Sequence, residues 1–496
     1  MTLAYKNLIG GVWKDSASGK LRESINPANT SDVVGTVPDS TTADVDEAVA
    51  AAREAYRGWR LVPAPKRGEI LYRAAELLLK HKDELGRLAT REMGKILPEG
   101  LGDVQEAIDM AYFMAGEGRR LEGQTVPSEL VGKDCKSVRE PIGVFALITP
   151  WNFPTAIPSW KLLPAIISGN CVVFKPSSDT PVCATKLVEI LIRAGVPKGV
   201  VNMVHGSGQV VGSYLARHPD IDGISFTGSS AVGEELVKSC AGLDKEISCE
   251  MGGKNPIIVM DDARLDLAIE GALWGGFGTT GQRCTAASRV IVHAKVYDDF
   301  VCGLARAAAD LRVGDGMKDD TEMGPLIHKA QMEKVLEYIK IGKEQGGRLV
   351  TGGRQLTEGD YAKGFFVEPT VFADVTQDMR IAREEIFGPV VSVIKARNLT
   401  EAVAMANDSD YGLSAAIFSQ DVNNCATAER DLQTGIVYIN APTIGAEIQL
   451  PFGGIKKTGT GHKEAGGRGG ALDMFLHWKV VYRDFSGRLQ KAQIEG

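Results

Sequence analysis

The stretch FGTTGQRCTAASRVIV, residues 277–292, holds one cysteine, Cys284, among small residues, with an arginine before it and a strand-like run after it. A thiolate is an intrinsically strong nucleophile, so an activated Cys284 would attack an electrophilic carbon. No histidine lies near it in sequence to take its proton, and a lone cysteine also suits a small buried filler. Four other positions carry comparable potential. Asn152, in LITPWNFP, sits in a turn stiffened by two prolines, where a fixed amide suits an oxyanion or serves its own turn. Lys175, in VVFKPSSDTP, ends an apolar run and could meet a phosphate or a ribose hydroxyl, or simply be solvated. In ISFTGSSAVG, Thr227-Gly228-Ser229 leads into a helix whose first N–H groups favour a phosphate, although the spacing is not that of a GxGxxG loop. Glu250, in SCEMGGKNP, ends a mostly apolar strand before two glycines. Partial desolvation there would raise its pKa and suit it to general-base work; a structural salt bridge is the other reading.

The elements that must position these residues follow from hydrophobic rhythm. Residues 43–59 read as an amphipathic helix, with Val45, Val49, Ala52, Tyr56 and Trp59 at three- and four-residue steps and Thr41 and Asp44 as its cap. Residues 68–92 and 102–116 predict two more helices. From about residue 142 short apolar runs alternate with helical stretches: IGVFALIT, helix 160–168, CVVFK, helix 181–194, VVNMV, helix 208–217, IDGISFTG, helix 230–240, then KEISCEMGG and NPIIVM. A second alternating region over 265–455 offers SRVIVH, FFVEPTVF, PVVSVIKA, SAAIFS and GIVYIN as strands. Such alternation predicts α/β domains with parallel, doubly wound sheets, whose ligands bind beyond the carboxyl ends of the strands. Each candidate residue of the first region lies just after such a run. The tail LDMFLHWKVVYRD alternates Phe475, His477, Lys479 and Val481 and reads as an edge strand able to pair with another chain.

Bulk properties narrow the function. The chain has 496 residues, is 44% hydrophobic and 24% charged, and carries a net charge of −7. That length implies two or three domains, and the acidic balance argues against a nucleic-acid partner. No apolar run is long enough to span a membrane, and the start lacks the pattern of a signal peptide. The eight cysteines form no CxxC pair and the seven histidines no HxxxH, so reduced thiols, a cytoplasmic location and no metal site are expected.

Taken in order, PWNFP, FKPS, FTGS, EMGGKNP, GQRC, EEIFGP and PFGG resemble the aldehyde dehydrogenase superfamily over nearly the whole chain. The resemblance implies that Cys284 is the nucleophile, that Asn152 and the Cys284 N–H hold the oxyanion, and that Glu250 activates the hydrolytic water, with Lys161 and Glu464 relaying protons. It implies pyrophosphate binding at Ser229 and Val232, ribose binding at Lys175 and nicotinamide-ribose contacts at Glu385 and Phe387. Thr149, Pro150, Trp151, Gly208, Gly212, Phe226, Thr227, Gly228, Met251 and Gly252 complete the expected cofactor set. Many NAD-preferring members carry glutamate where this chain has Ser178; a hydroxyl there does not repel a 2′-phosphate, so NADP is expected, with NAD possible. GQRCTAASRV and NAPTIGAEIQLPFGG resemble the branch acting on 2-oxoglutarate semialdehyde (2,5-dioxopentanoate). Arg283 would meet the substrate carboxylate or form a structural pair, and Glu447 would be out of place beside an anion. Succinate semialdehyde, glyceraldehyde or a CoA-acylating reaction are the alternatives. The implied domains are a cofactor domain (1–123 and 142–252), a catalytic domain (253–470) and a small β oligomerisation element (124–141 and 471–496), in a homodimer or homotetramer.

Overall fold

The computed structural model describes residues 3–494. Its first sheet has eight strands, in the order Val12–Lys14, Asn7–Ile9, Val201–Met203, Cys171–Lys175, Val144–Ile148, Gly223–Thr227, Glu246–Glu250 and Gly459–Thr460. The five strands from Val201–Met203 to Glu246–Glu250 are mutually parallel, as the strand–helix alternation predicts. The chain runs outward from Val144–Ile148 on one side and then returns to its other side with Gly223–Thr227, which makes a topological switch point between those two strands.

A second, seven-stranded sheet runs Arg348–Thr351, Thr370–Ala373, Val390–Ala396, Ala287–His293, Asn255–Val259, Ser414–Phe418 and Ile436–Ile439. All its pairings are parallel except the first. Asn255–Val259 is buried throughout, as a strand covered on both faces must be. Its Ile257 and Val259 pack with Phe277 and Phe300 on one side, while Ile258 packs with Met332 and Ile339 on the other. That is the period-2 alternation of a strand.

A three-stranded sheet joins Leu476–Asp484 to Lys133–Pro141 and Thr125–Pro127. Leu476–Asp484 is its edge and exposes Trp478, Val480 and Tyr482. Among the described residues no helix is long and apolar enough to cross a membrane.

Several local expectations need correction. The single helix over 68–92 is two helices, Ala64–Lys80 and Lys82–Met93, broken at His81. The helix over 208–217 opens with a π-helical turn, Gly208–Gly212, before Ser213–Arg217. The helix expected over 160–168 starts earlier, at Ala156, and holds Pro158 and Pro164. FFVEPTVF forms a strand only from Thr370, past Pro369, which has no N–H to give a ladder. The helix-rich first part also contains a hairpin, Leu21–Asn26 with Asn29–Pro38. The cap at Thr41 and Asp44 is present: the Thr41 N–H donates to Asp44 Oδ2 at 2.8 Å.

Candidate active site

Register across the first sheet sets the site. Lys175 pairs with Ile148, Ile148 with Phe226, and Thr227 with Glu250. These residues therefore end their strands almost level, and the segments that follow converge above the switch point. A cavity of 330 Å³ opens there. Thr149, Pro150, Trp151 and Asn152 line it from the first turn; Phe226, Thr227, Gly228, Ser229 and Val232 from the second. Met251, Gly252 and Cys284 also line it, with Glu385 and Phe387 from the segment before the strand Val390–Ala396 of the second sheet. Lys175, Ser178, Gly208 and Gly212 do not line this cavity; they lie on the neighbouring strand and on the turn packed against its lysine.

Lys175 is buried, and its Nζ donates to the Pro176 carbonyl at 2.9 Å. Burial pulls its pKa down to about 8, so the ammonium lacks solvation that an anion or hydroxyls would restore. A Cβ on Gly212 would rest 3.5 Å from Lys175 Cδ. Ser178 Oγ donates to the Gly206 carbonyl at 3.0 Å. The Thr149 hydroxyl is buried with no hydrogen-bond partner, and the helix Ser230–Cys240 presents its N-terminus at Ser229. An orphan hydroxyl and a free helix N-terminus on a mostly apolar slot, with the desolvated Lys175 at the end of the neighbouring strand, fit a nicotinamide dinucleotide.

The Glu385 carboxylate enters the slot because position 252 is glycine: a Cβ there would overlap it. Its Oε1 accepts from the Gly253 N–H at 2.9 Å. Burial raises its pKa, opposed by that bond and by Lys334 and Lys254. Gln331 and Lys334 also line the cavity and were not anticipated. Gln331 Nε2 donates to the Ile386 and Phe387 carbonyls at 3.0 and 2.7 Å, holding Phe387 at a φ of 59°. A glutamine that serves backbone carbonyls leaves no motif in the sequence.

A second, smaller cavity of 50 Å³ meets the first at Ile157, Thr227, Met251 and Cys284. Cys284 thus stands where two recesses join. Burial first, then Glu385, Glu250 and Glu464, push its thiol up to about 12. Its carbonyl accepts from Asn255 Nδ2 at 2.7 Å, and the loop before it is bent through Thr279 and Thr280 at φ 51° and 59°. Asn152 Nδ2 donates to the Gln282 carbonyl at 3.0 Å. That bond uses one of its two hydrogens and leaves the other for a ligand.

Glu250 is buried against Gly453 and Gly459, where any side chain would collide with it. Its Oε2 accepts from the Gly454 N–H at 3.1 Å. Burial, then the neighbouring Glu464, raises its pKa well above the ordinary carboxylate value, against Lys463 and Lys161. Lys161 is buried in an ion pair with Glu464 and donates to Ser225 Oγ at 2.8 Å. The Thr227 hydroxyl donates to Glu464 Oε1 at 2.6 Å. Lys161, Glu464 and Thr227 therefore form a continuous polar chain beside Glu250.

Arg283 forms the structural pair that was one of the two readings held for it. Its Nη2 pairs with Glu99 at 3.0 Å and its Nε donates to Thr279 Oγ1 at 2.8 Å, while its guanidinium lies over Phe153 and Trp274. It also lines the smaller cavity. Glu447 is exposed, hydrogen-bonded to Gln449 and outside both cavities.

The aldehyde dehydrogenase family profile matches residues 13–481. The alpha-ketoglutaric semialdehyde dehydrogenase of Bacillus subtilis is 42% identical over 96% of this chain and 98% of its own. The alpha-ketoglutarate semialdehyde dehydrogenase of Haloferax volcanii is 44% identical over 98% of this chain and all of its own. A solved structure of betaine aldehyde dehydrogenase from Staphylococcus aureus in complex with NAD+ superposes with a TM-score of 0.95, at 36% identity, covering 98% of this chain and 96% of that one. With these likenesses running its full length, the chain belongs to the aldehyde dehydrogenase family and is an NAD(P)-dependent aldehyde dehydrogenase.

Proposed function

We propose that the protein oxidises 2-oxoglutarate semialdehyde (2,5-dioxopentanoate), or a close acidic semialdehyde, to the carboxylic acid through a covalent intermediate on Cys284, with NADP preferred and NAD accepted. The observation that carries the reading is the position of Cys284 at the junction of the two cavities, with Asn152 on one side and Glu250 on the other. The aldehyde enters from the smaller cavity, and Cys284, having given up its proton to become the thiolate, adds its sulfur to the carbonyl carbon. The oxygen gains charge and is held by the free Asn152 N–H and the Cys284 backbone N–H, donors already fixed in place. Thr149, Lys175, Ser229, Glu385 and Phe387 would hold a nicotinamide dinucleotide, which when bound would supply the hydride acceptor needed for the adduct to become a thioester. Glu250 then takes a proton from water as that water attacks the thioester. Its raised pKa makes it a stronger base than a solvated carboxylate, and the Lys161–Glu464–Thr227 chain offers the proton a way out. Cys284 leaves as thiolate and the acid departs.

The substrate reading rests on Arg283, whose Nη1 makes no hydrogen bond among the described residues and which lines the substrate-side cavity. The two semialdehyde dehydrogenases among the relatives above support the same class. For the cofactor, Ser178 must turn its hydroxyl away from the Gly206 carbonyl to meet a 2′-phosphate, a rotation about one bond. Exposed Trp478, Val480 and Tyr482 on the C-terminal edge strand support assembly as a homodimer or homotetramer. We place the boundaries of the three domains at 123/124, 141/142, 252/253 and 470/471, and the protein in the cytoplasm. Absorbance at 340 nm with a panel of acidic and neutral aldehydes and both cofactors tests this reading. Turnover of neutral aldehydes alone would overturn the substrate class.

A further inference from the structure

Among the residues lining the substrate-side cavity is Glu106, which none of the steps above uses. It projects from the helix Leu97–Glu117. In sequence it looks like one more charge on a polar helix face. In the fold it shares the 50 Å³ recess with Cys284, Phe153, Trp160, Phe452 and Arg283, and no hydrogen bond or ion pair satisfies it among the described residues. A carboxylate without a partner in the recess proposed to receive an anionic substrate needs a reason.

The charges that face it come from three segments. On its own helix are Asp103 and Asp109; before that helix lies Lys95; from the catalytic loop comes Arg283. Glu99, on the same helix, already neutralises Arg283. Lys95, buried with no hydrogen-bond partner, sits 3.8 Å from Asp103 and over the Phe153 ring. The same recess is lined by three further titratable groups, Cys284, Glu250 and Glu464, the last already paired with Lys161, and Tyr438 also feels the Glu106 charge. The two cations are thus matched by Glu99 and Asp103, and an ionised Glu106 would be a surplus negative charge. Burial first, then Asp103, raises the Glu106 pKa to about 7, with Arg283 and Lys95 opposing. The group changes state near neutrality, inside the cavity that receives the aldehyde.

Resting on the substrate class given above, we propose that Glu106 is a specificity-determining residue: protonated, it hydrogen-bonds the far carboxylate or keto oxygen of an acidic semialdehyde alongside Arg283; ionised, it repels that substrate. The neutral acid supplies one O–H donor, and Arg283 Nη1 supplies the N–H groups left after its bonds to Glu99 and Thr279. Loss of the proton removes the donor and sets two like charges together. Binding the acidic substrate above neutral pH then requires uptake of a proton, and affinity falls with each further pH unit, by at most about tenfold.

The test compares KM for succinate semialdehyde with KM for butanal, from pH 6 to 9, in wild type and in Glu106→Gln. The ratio of the two KM values cancels titration of Cys284 and Glu250, which both substrates experience. In wild type the ratio favours the acid at pH 6 and rises steeply above about pH 7. In Glu106→Gln, a neutral donor of the same shape, it stays low and flat, whereas Glu106→Asp, which retains the acid, keeps a pH-dependent ratio. A wild-type preference for the acid with the same pH slope in Glu106→Gln overturns the role of Glu106 and leaves the substrate class standing. No preference for the acid at any pH overturns both.

Discussion

The side-chain amide of Asn152 and the backbone carbonyl of Gln282 are joined by a hydrogen bond of 3.0 Å. Asn152 follows a strand of the first sheet, whereas Gln282 lies two positions before Cys284 on a loop leading into the second. The bond therefore ties the proposed oxyanion donor to the proposed nucleophile across the two halves of the molecule. Asn152→Ala removes the donor and loosens the loop. We expect kcat to fall about a hundred- to a thousand-fold, measured by steady-state turnover; a loss of less than fivefold would show that the amide holds no developing charge.

The Cys284 thiol is held in its protonated form by burial and by three carboxylates, with a pKa of about 12. A cationic ring placed in the larger cavity would oppose those carboxylates. Alkylation by iodoacetamide should be slow at pH 7 in the free enzyme and accelerate with rising pH, and oxidised cofactor should move the curve to lower pH. Identical curves with and without cofactor would mean that activation comes from elsewhere.

Glu250→Gln should separate the two halves of the reaction. Acylation survives and hydrolysis does not, so rapid mixing should show a burst of about one reduced cofactor per subunit followed by very slow turnover. A linear time course would remove Glu250 from the hydrolytic step. The same substitution has a stability signature. Because the fold raises the Glu250 pKa, it favours the protonated carboxyl. That contribution is whole below the unfolded value of 4.5 and is lost as pH climbs through the folded one. Glu250→Gln should therefore melt above wild type at pH 8, by differential scanning calorimetry, and lose that advantage at pH 4.5.

Ser178→Glu places a carboxylate where the proposed 2′-phosphate would lie. The ratio of kcat/KM for NADP to that for NAD should fall at least tenfold, since like charges in a partly buried site repel strongly. A ratio that does not move would place the 2′-phosphate away from this residue.

Much of the site could be read from the chain because parallel sheets concentrate chemistry at one end of each strand. Asn152, Lys175, Thr227 and Glu250 each follow an apolar run that could hardly be anything but a buried strand. Where the reading failed, tertiary contacts decided. His81 interrupts a continuous apolar spacing with no glycine or proline to announce the break. Pro158 and Pro164 look like helix breakers, yet both lie inside the buried helix Ala156–Ser168. Gln331 works through two carbonyls, and Glu106 looks solvated until the fold encloses it. Arg283 could not be assigned because it both pairs with Glu99 and faces the substrate-side cavity.

The level ending of the strands at Ile148, Lys175, Thr227 and Glu250 has a practical consequence for anyone altering this scaffold. Residues added where the chain enters these strands, as between Asp220 and Gly223, leave the final rung in place. One residue added where it leaves, between Ile148 and Asn152 or between Thr227 and Ser229, displaces a reactive group by a step of ~3.3 Å. Tags, fusions and grafted loops belong on the entry side of this sheet.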